Sequence, residues 1–104
     1  MSLDLNSSSV ITLNEAKTFI QDFKTLNPLA VKAVFAGSNK LNMILDQQGC
    51  IGIRMYFGYD NEEKRNNLVL VGVDSDEKDM TSGVILERLE PCPSKCDKTS
   101  SLYI

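Results

Sequence analysis

The sequence predicts an α+β fold in which N-terminal helices pack on one face of a small antiparallel sheet. Apolar residues recur with a helical period over residues 13–26, and from Cys50 onward they alternate with a period of two. Helical segments followed by a run of strands are typical of α+β domains. The 104 residues fit a single domain, 1–104, in which we expect residues 1–10 to be disordered and residues 91–104 to form an irregular tail.

The first helix is predicted over residues 13–26. Thr12 and Glu15 have the spacing of a capping box, in which each residue satisfies a backbone N–H of the other. The helix should stop before Asn27-Pro28, because proline disfavours a helical conformation in the residue that precedes it. One apolar stripe runs along the helix and contains Leu13, Ala16, Phe19, Ile20 and Phe23.

A short strand and a second helix are predicted next. The apolar stretch "LAVKAVFAGS" contains β-branched and aromatic residues, which favour a strand. Ser38 then has the character of an N-cap, and Gly49 suits the position just after a helix. We therefore predict a helix over residues 39–48.

Three antiparallel strands are predicted over residues 50–59, 67–74 and 83–89. The middle strand contains "LVLVGV", which is apolar on both faces and so reads as an interior strand. Pro91 and Pro93 are expected to end regular structure. The predicted core consists of Phe19, Ile20, Phe23, Leu41, Ile44, Leu45, Ile51, Ile53, Met55, Phe57, Val69, Val71 and Val73.

Composition excludes several classes of function. The chain has no histidine, which excludes serine–histidine and cysteine–histidine nucleophilic sites and the usual general base near neutral pH. A net charge of −3 argues against nucleic-acid binding, which depends on neutralising phosphates. No apolar run reaches the length of a membrane span, and no glycine-rich phosphate loop is present, so we expect neither membrane insertion nor a nucleotide cofactor. The first residues do not resemble a secretory signal, so a cytoplasmic location is expected.

The three cysteines are the candidate metal ligands. Zinc prefers four ligands, and Cys50, Cys92 and Cys96 offer three, to be completed by Asp97 or water. A Cys92–Cys96 disulfide would close a very short loop, and the spacing differs from that of thiol oxidoreductases. The tail could also fold back beside Cys50. The sequence favours free thiols, and we predict no bound metal or other cofactor.

One partly polar face of a predicted strand is the candidate surface site. Gly52, Arg54 and Tyr56 would share a face of the strand that begins at Cys50. Glycine within a strand marks a bulge, a bend or a close approach by another backbone or a ligand. The alternative, which the sequence favours, is a solvent face on which Arg54 pairs with a nearby carboxylate.

Several segments together resemble a family of small uncharacterised bacterial proteins seen chiefly in Bacteroidetes. These segments are "GCIGIRMYF" at 49–57, "LVLVGVD" at 68–74, Asp79-Met80 and "PCPSKC" at 91–96. The family has no established activity. The resemblance therefore implies a single bacterial α+β domain and no particular reaction.

These observations favour a non-enzymatic binding or protein-interaction module. The alternative is a small cysteine-based metal-binding or redox protein that uses Cys50, Cys92 and Cys96. We further expect a two-fold homodimer, because two helices can cover only one face of the sheet and would leave an apolar patch on the other. That patch would contain Leu68, Leu70, Tyr56 and Leu86. In the rival arrangement, the tail covers the patch with Leu102 and Tyr103.

Overall fold

The computed structural model describes residues 2–104 and confirms the predicted α+β class, with two helices and antiparallel sheets. The expected disorder at residues 1–10 includes Met1, which lies outside the described residues. Within residues 2–104, neither helix has the length and apolar content that a membrane span requires. The elements are α1 (Leu13–Leu26), β1 (Ala33–Phe35), α2 (Ser38–Leu45), β2 (Cys50–Asp60), β3 (Arg65–Asp74), β4 (Ile85–Leu86) and β5 (Glu90–Cys92).

Helix α1 begins and ends where the sequence predicts. The Glu15 N–H donates to Thr12 Oγ1 at 3.1 Å, and the Thr12 N–H donates to Glu15 Oε1 at 3.3 Å, so the capping box is formed. The helix nevertheless contains no buried residue. Phe19 is 67% exposed and Phe23 is 43% exposed, so their assignment to the core is wrong.

Helix α2 is the helix that packs on the sheet. It is shorter than predicted, and its N-cap is Gly37 rather than Ser38. Gly49 follows in the left-handed region, with φ of 84°, which glycine adopts without steric cost. Ile44 is completely buried and packs against Leu70 and Leu89 at the centre of the core.

The register between β2 and β3 contradicts the prediction that the apolar odd-numbered residues of β2 and the valines of β3 form one core face. The loop 61–64 pairs Asp60 with Arg65, so from Gly52 onward each odd-numbered residue of β2 lies beside an even-numbered residue of β3. Ile53 therefore shares a face with Gly72 and Leu70, and not with the valines of β3. The loop determines which residues of the two strands share a face. A one-residue change in register would move a whole set of side chains to the other face.

The central core cluster consequently lies on the leucine face of β3, while Val71 and Val73 are buried on the other face, as predicted. Leu70 is 3% exposed beneath Ile44, and Leu68 packs at the edge of the same cluster, so the expectation of an uncovered patch containing both leucines is wrong. The tail does not cover these leucines either. Leu102 and Ile104 instead line a small cavity with Ile20 and other residues near the C-terminal end of α1. Five residues assigned to the core from the sequence are exposed: Phe19, Phe23, Leu45, Met55 and Phe57.

Two short segments near the C-terminus also differ from the prediction. Strand β4 is limited to Ile85–Leu86, and Arg88 follows with φ of 60°. Beyond it, β5 forms where we expected prolines to end regular structure. It pairs with β1 in a separate two-stranded sheet, with Pro91 opposite Val34. Proline is tolerated there because such a strand has a free edge.

Gln47 connects α2 to the segment before β4. Its Oε1 atom accepts a hydrogen bond from the Val84 N–H at 2.8 Å, and its Nε2 atom donates to the Ile44 carbonyl at 3.0 Å. Gly83 lies directly against this amide, since a Cβ atom built at Gly83 would be 2.0 Å from Gln47 Oε1. Glycine at position 83 thus leaves room for the close approach of Gln47.

Candidate functional site

Strand β2 places Arg54 and Tyr56 two residues apart on the same face. Arg54 lies beside Val71 and Tyr56 beside Val69, on the face of the sheet opposite α2. The predicted grouping of these two polar side chains on one strand face therefore agrees with the register.

The turn after β3 brings a carboxylate to this face. Asp74 Oδ1 accepts hydrogen bonds from the N–H groups of Asp76 at 2.9 Å and Lys78 at 3.1 Å. Asp79 then forms an antiparallel bridge with Val73 on the side of β3 away from β2. Because bridged residues share a face, the Asp79 side chain lies on the face that carries Arg54 and Tyr56.

The three side chains form one hydrogen-bonded network. Arg54 Nη1 donates to Asp79 Oδ1 at 2.5 Å, and the Tyr56 hydroxyl donates to Asp79 Oδ2. Arg54 Nη2 also lies 3.5 Å from the carbonyl oxygen of Glu77. Both oxygens of the carboxylate are used, so Asp79 is held on either side by a donor from β2.

Each member of the network shifts the pKa of the others. The hydrogen bond from Tyr56, followed by that from Arg54, lowers the pKa of Asp79. The hydrogen bond to Asp79 raises the pKa of the Tyr56 hydroxyl, which stays protonated. The pKa of Arg54 is raised by the same carboxylate. At neutral pH the network therefore contains a carboxylate, a phenol and a guanidinium, none of which is poised to exchange a proton.

The network lies on the face of the sheet that α2 leaves open, beside two buried valines. Val71 and Val73 are both 4% exposed, although they lie on the face opposite the core cluster. Asp79 reaches across β3 from the Val73 position to Arg54 beside Val71. The side chains of Arg54 and Asp79 keep 33% and 21% of their accessible surface, so the pair is open to water on its outer side. The favoured alternative, a solvent face on which Arg54 pairs with a carboxylate, thus matches the geometry.

Gly52 does not join this network. It pairs with Val73 next to a register shift in β2, and a Cβ atom added to it would meet nothing within 4 Å. It lines an open groove of about 680 Å³ between β2 and the N-terminal segment, together with Leu5 and Met55. The three residues proposed as a surface site are therefore divided: Arg54 and Tyr56 act together, and Gly52 lies in open space.

The cysteines lie in two places. Cys92 and Cys96 form a disulfide with Cα atoms 4.8 Å apart, which corrects the expectation of free thiols in the tail. The Lys95 N–H donates to the Pro91 carbonyl at 2.7 Å, a turn that brings the two residues together. Cys50 is free, and its thiol donates to the Gly52 carbonyl at 3.2 Å. Among residues 2–104, no three side chains of the His, Cys, Asp and Glu types come together as a metal site.

A second surface of interest is apolar. Phe23 of α1 and Phe57 of β2 line a groove of about 280 Å³, with Val34 and Leu68 at its base. Phe57 is 93% exposed, and it lies on the same face of the sheet as α2. The exposed apolar stripe of α1 continues from this groove.

No family model, no curated protein and no solved structure matches the chain. Sequence reasoning identified Arg54 and Tyr56 but not Asp79 as their partner. The signal that points to Asp79 is its place in the first turn-forming segment after β3, and the sequence offers several acidic residues there.

Proposed function

We propose that the chain is a non-enzymatic protein-interaction module whose partner is a second copy of itself, so that it works as a two-fold homodimer. The observation that carries this proposal is the exposed apolar stripe of α1. Leu13 is 55% exposed, Phe19 is 67% exposed and Leu26 is 79% exposed. Contiguous apolar surface of this kind usually marks a protein interface.

The physical reason is that helices gain most of their stability from packing. An isolated helix of about 12–15 residues is marginal in water, and α1 has 14 residues. Its capping box stabilises the first turn but buries nothing. A partner that covers the stripe would supply the burial that its own chain does not provide.

Two further observations support a role without catalysis. The chain has no histidine. In the Arg54–Tyr56–Asp79 network, the pKa values of Asp79 and Tyr56 are displaced away from neutrality. The network is thus suited to holding a turn against a sheet, which is a structural task.

Origin and compartment are part of the proposal. The resemblance to the Bacteroidetes family supports a bacterial protein and brings no reaction with it. We propose a cytoplasmic location, where thiols are normally reduced and a disulfide is usually transient. Neither nucleic acid nor membrane is a proposed partner, because the net charge is −3 and neither helix within residues 2–104 has the length and apolar content of a membrane span.

Light scattering at micromolar concentration tests the homodimer. The wild-type chain should have twice the monomer mass of 11.6 kDa. Phe19→Ser combined with Leu26→Ser should shift the mass towards the monomer, because both side chains are exposed and their loss removes interface area. Gln21→Ser, on the polar side of α1, is the control and should leave the dimer intact. A monomer mass for the wild type at every micromolar concentration contradicts the proposal.

A second candidate function rests on the Cys92–Cys96 disulfide. Cys92 is 7% exposed and Cys96 is half-buried, and both line a groove of about 300 Å³ with Lys95 and Tyr103. A thiol–disulfide role would have two glutathione thiols reduce the pair to dithiol and leave as glutathione disulfide. Equilibration in glutathione buffers measures the reduction potential. A value near the cytosolic poise of about −220 to −260 mV supports this role, and a value below about −300 mV indicates a structural bridge.

A further inference from the structure

We infer that the second copy pairs with the free edge of β2, with the two strands antiparallel about a two-fold axis at Phe57. This inference rests on the proposed homodimer and adds the surface and the register of the contact. It begins from the sheet order β2-β3-β4, which leaves one side of β2 without a neighbouring strand in the described chain.

The edge of β2 lacks the residues that commonly protect a sheet edge, although the N-terminal segment lies across an open groove from residues 51–55. The strand has 11 residues, Cys50–Asp60, and contains no lysine and no proline, the residues that commonly protect an edge. A register shift between Cys50 and Gly52 disrupts one end. The remaining stretch from Ile53 to Asp60 exposes large side chains on both faces: Met55 by 53%, Tyr56 by 47%, Phe57 by 93% and Tyr59 by 57%.

Symmetry limits the registers that two identical strands can adopt. A two-fold axis perpendicular to the sheet keeps each face continuous across the contact, so odd-numbered residues pair with odd-numbered residues. The axis must then pass midway between one residue and the same residue of the partner subunit. The choice of that residue fixes every other pair.

Charge complementarity selects Phe57 as the central residue. Arg54 and Asp60 are the two charged residues of β2, and they lie three positions before and three positions after Phe57. With the axis at Phe57, Arg54 faces Asp60 of the partner subunit, and symmetry repeats the pair on the other side. With the axis at Tyr56, Arg54 would face a glycine, and no other centre puts the two charges opposite each other. Opposite charges directly across a strand pair are stabilising.

Both charged groups have hydrogen-bonding atoms that are not used within their own chain and are available for this contact. Asp60 uses Oδ1 to accept the N–H groups of Glu62 at 2.9 Å and Glu63 at 3.0 Å, which leaves Oδ2 for a partner. The guanidinium of Arg54 carries five N–H donors, and Asp79 and Glu77 engage only its two terminal nitrogens.

The same register pairs large side chains with suitable neighbours. Phe57 packs beside Phe57 of the partner subunit, and Met55 faces Tyr59 of the partner subunit, all on the face that carries α2. On the other face, this register places Tyr56 opposite Gly58 of the partner subunit. Phe57 also lines the groove that contains Phe23, so the strand contact is continuous with the apolar stripe of α1.

Cysteine cross-linking tests the register directly. In the Phe57→Cys variant, the new thiols face each other across the axis, and mild oxidation should give a covalent dimer on non-reducing gels. Tyr59→Cys is the matched control: its own copy lies several residues away, so it should cross-link at least tenfold more slowly. A mixture of Met55→Cys and Tyr59→Cys chains should cross-link. Equal rates for Phe57→Cys and Tyr59→Cys would overturn the register.

Light scattering of Phe57→Lys separates this inference from the proposed homodimer. Two lysines at the axis repel each other, so the dimer should dissociate at least tenfold more readily, whereas Leu29→Lys, at a site 99% exposed, should leave it unchanged. A wild-type dimer that survives Phe57→Lys overturns the edge contact but retains the homodimer. A wild-type monomer overturns both. Should Phe57→Lys fail to fold, as judged by circular dichroism, the cross-linking result decides.

Discussion

The two helices have amphipathic sequences of the same kind but very different surroundings. Helix α2 buries Ile44 completely and packs against Leu70 and Leu89. Helix α1 is longer and better capped, yet none of its residues is buried. The difference shows that local signals fix where a helix begins and ends, whereas burial depends on which apolar surface of the sheet remains available.

The sheet explains why α1 remains uncovered. Its leucine face is occupied by α2 and by Leu89, and its valine face carries the Arg54–Asp79 pair. The most exposed apolar side chain of this sheet is Phe57, on the outer strand β2. We therefore expect the α2 half of the molecule to determine its stability and the α1 half to determine its association.

The largest expected effect is that of Ile44→Ala. Removing a fully buried isoleucine should lower the free energy of unfolding by about 2–5 kcal/mol, because the cavity cannot collapse. Phe19→Ala on α1 should change it by no more than about 0.5 kcal/mol when the dimer is dissociated by dilution. Urea unfolding followed by circular dichroism measures both. Similar losses in the two helices would contradict the division of roles.

Gly83→Ala should produce the next largest effect. A methyl group there would lie 2.0 Å from Gln47 Oε1 and would displace the amide that joins α2 to Val84. We expect a loss of about 1–3 kcal/mol in the free energy of unfolding. Gly52→Ala is the control, since nothing lies within 4 Å of its added Cβ atom. A neutral Gly83→Ala would show that Gln47 moves without cost.

The Arg54–Tyr56–Asp79 network should make stability depend on pH at both extremes. Because the pKa of Asp79 is lowered in the folded chain, its contribution is present above the unfolded value of about 3.9 and is lost as pH falls through the folded pKa. Because the pKa of Tyr56 is raised, its contribution is present below about 10 and is lost as pH rises through the folded pKa.

Asp79→Asn tests this dependence. The variant should be less stable than wild type at pH 7, and the difference should shrink as the pH falls below 4, where the wild-type carboxylate becomes protonated. Thermal unfolding across the pH range measures it. Asp76→Asn, in the same turn, is the control, and its stability should change with pH in the same way as that of wild type. A constant difference between Asp79→Asn and wild type at all pH values would argue against the network.

Thr12→Ala should have the smallest effect on global stability. Loss of an N-cap costs about 1 kcal/mol of helix stability, but α1 is not packed in the core, so the loss should remain local. Hydrogen exchange should quicken at the amides of the first turn of α1 while the urea midpoint stays unchanged. A shift in the midpoint as large as that of Gly83→Ala would show that α1 is coupled to the sheet.

The sequence predicts the elements better than it predicts their contacts. The bounds of α1 follow from Thr12, Glu15 and the Asn27-Pro28 pair, all within a few residues of the helix ends. The predicted burial of Val71 and Val73 is confirmed, but their expected shared face with Ile53 and Met55 is wrong, because the parity of pairing depends on the geometry of the loop 61–64. Burial inferred from alternation alone cannot distinguish the two faces of a strand that is apolar on both.

The candidate site shows the same limit. Strand periodicity is sufficient to place Arg54 and Tyr56 together, since it is a local property. The choice of Asp79 as their partner requires the turn in which Asp74 accepts two backbone hydrogen bonds and Val73 bridges to Asp79. Likewise, β5 forms through its pairing with β1. This contact joins distant segments of the chain, and no local sequence pattern predicts it.

The position of Cys50 gives the molecule an internal chemical reporter. Cys50 is half-buried and carries the free thiol, and its sulfur lies where a side chain at Gly72 would be, close to Ile44. The packing of Cys50 against the core cluster limits the access of a thiol reagent to this sulfur. The rate of labelling therefore reports local opening of the core around this one site, without an added dye, while α1 remains free to associate or dissociate.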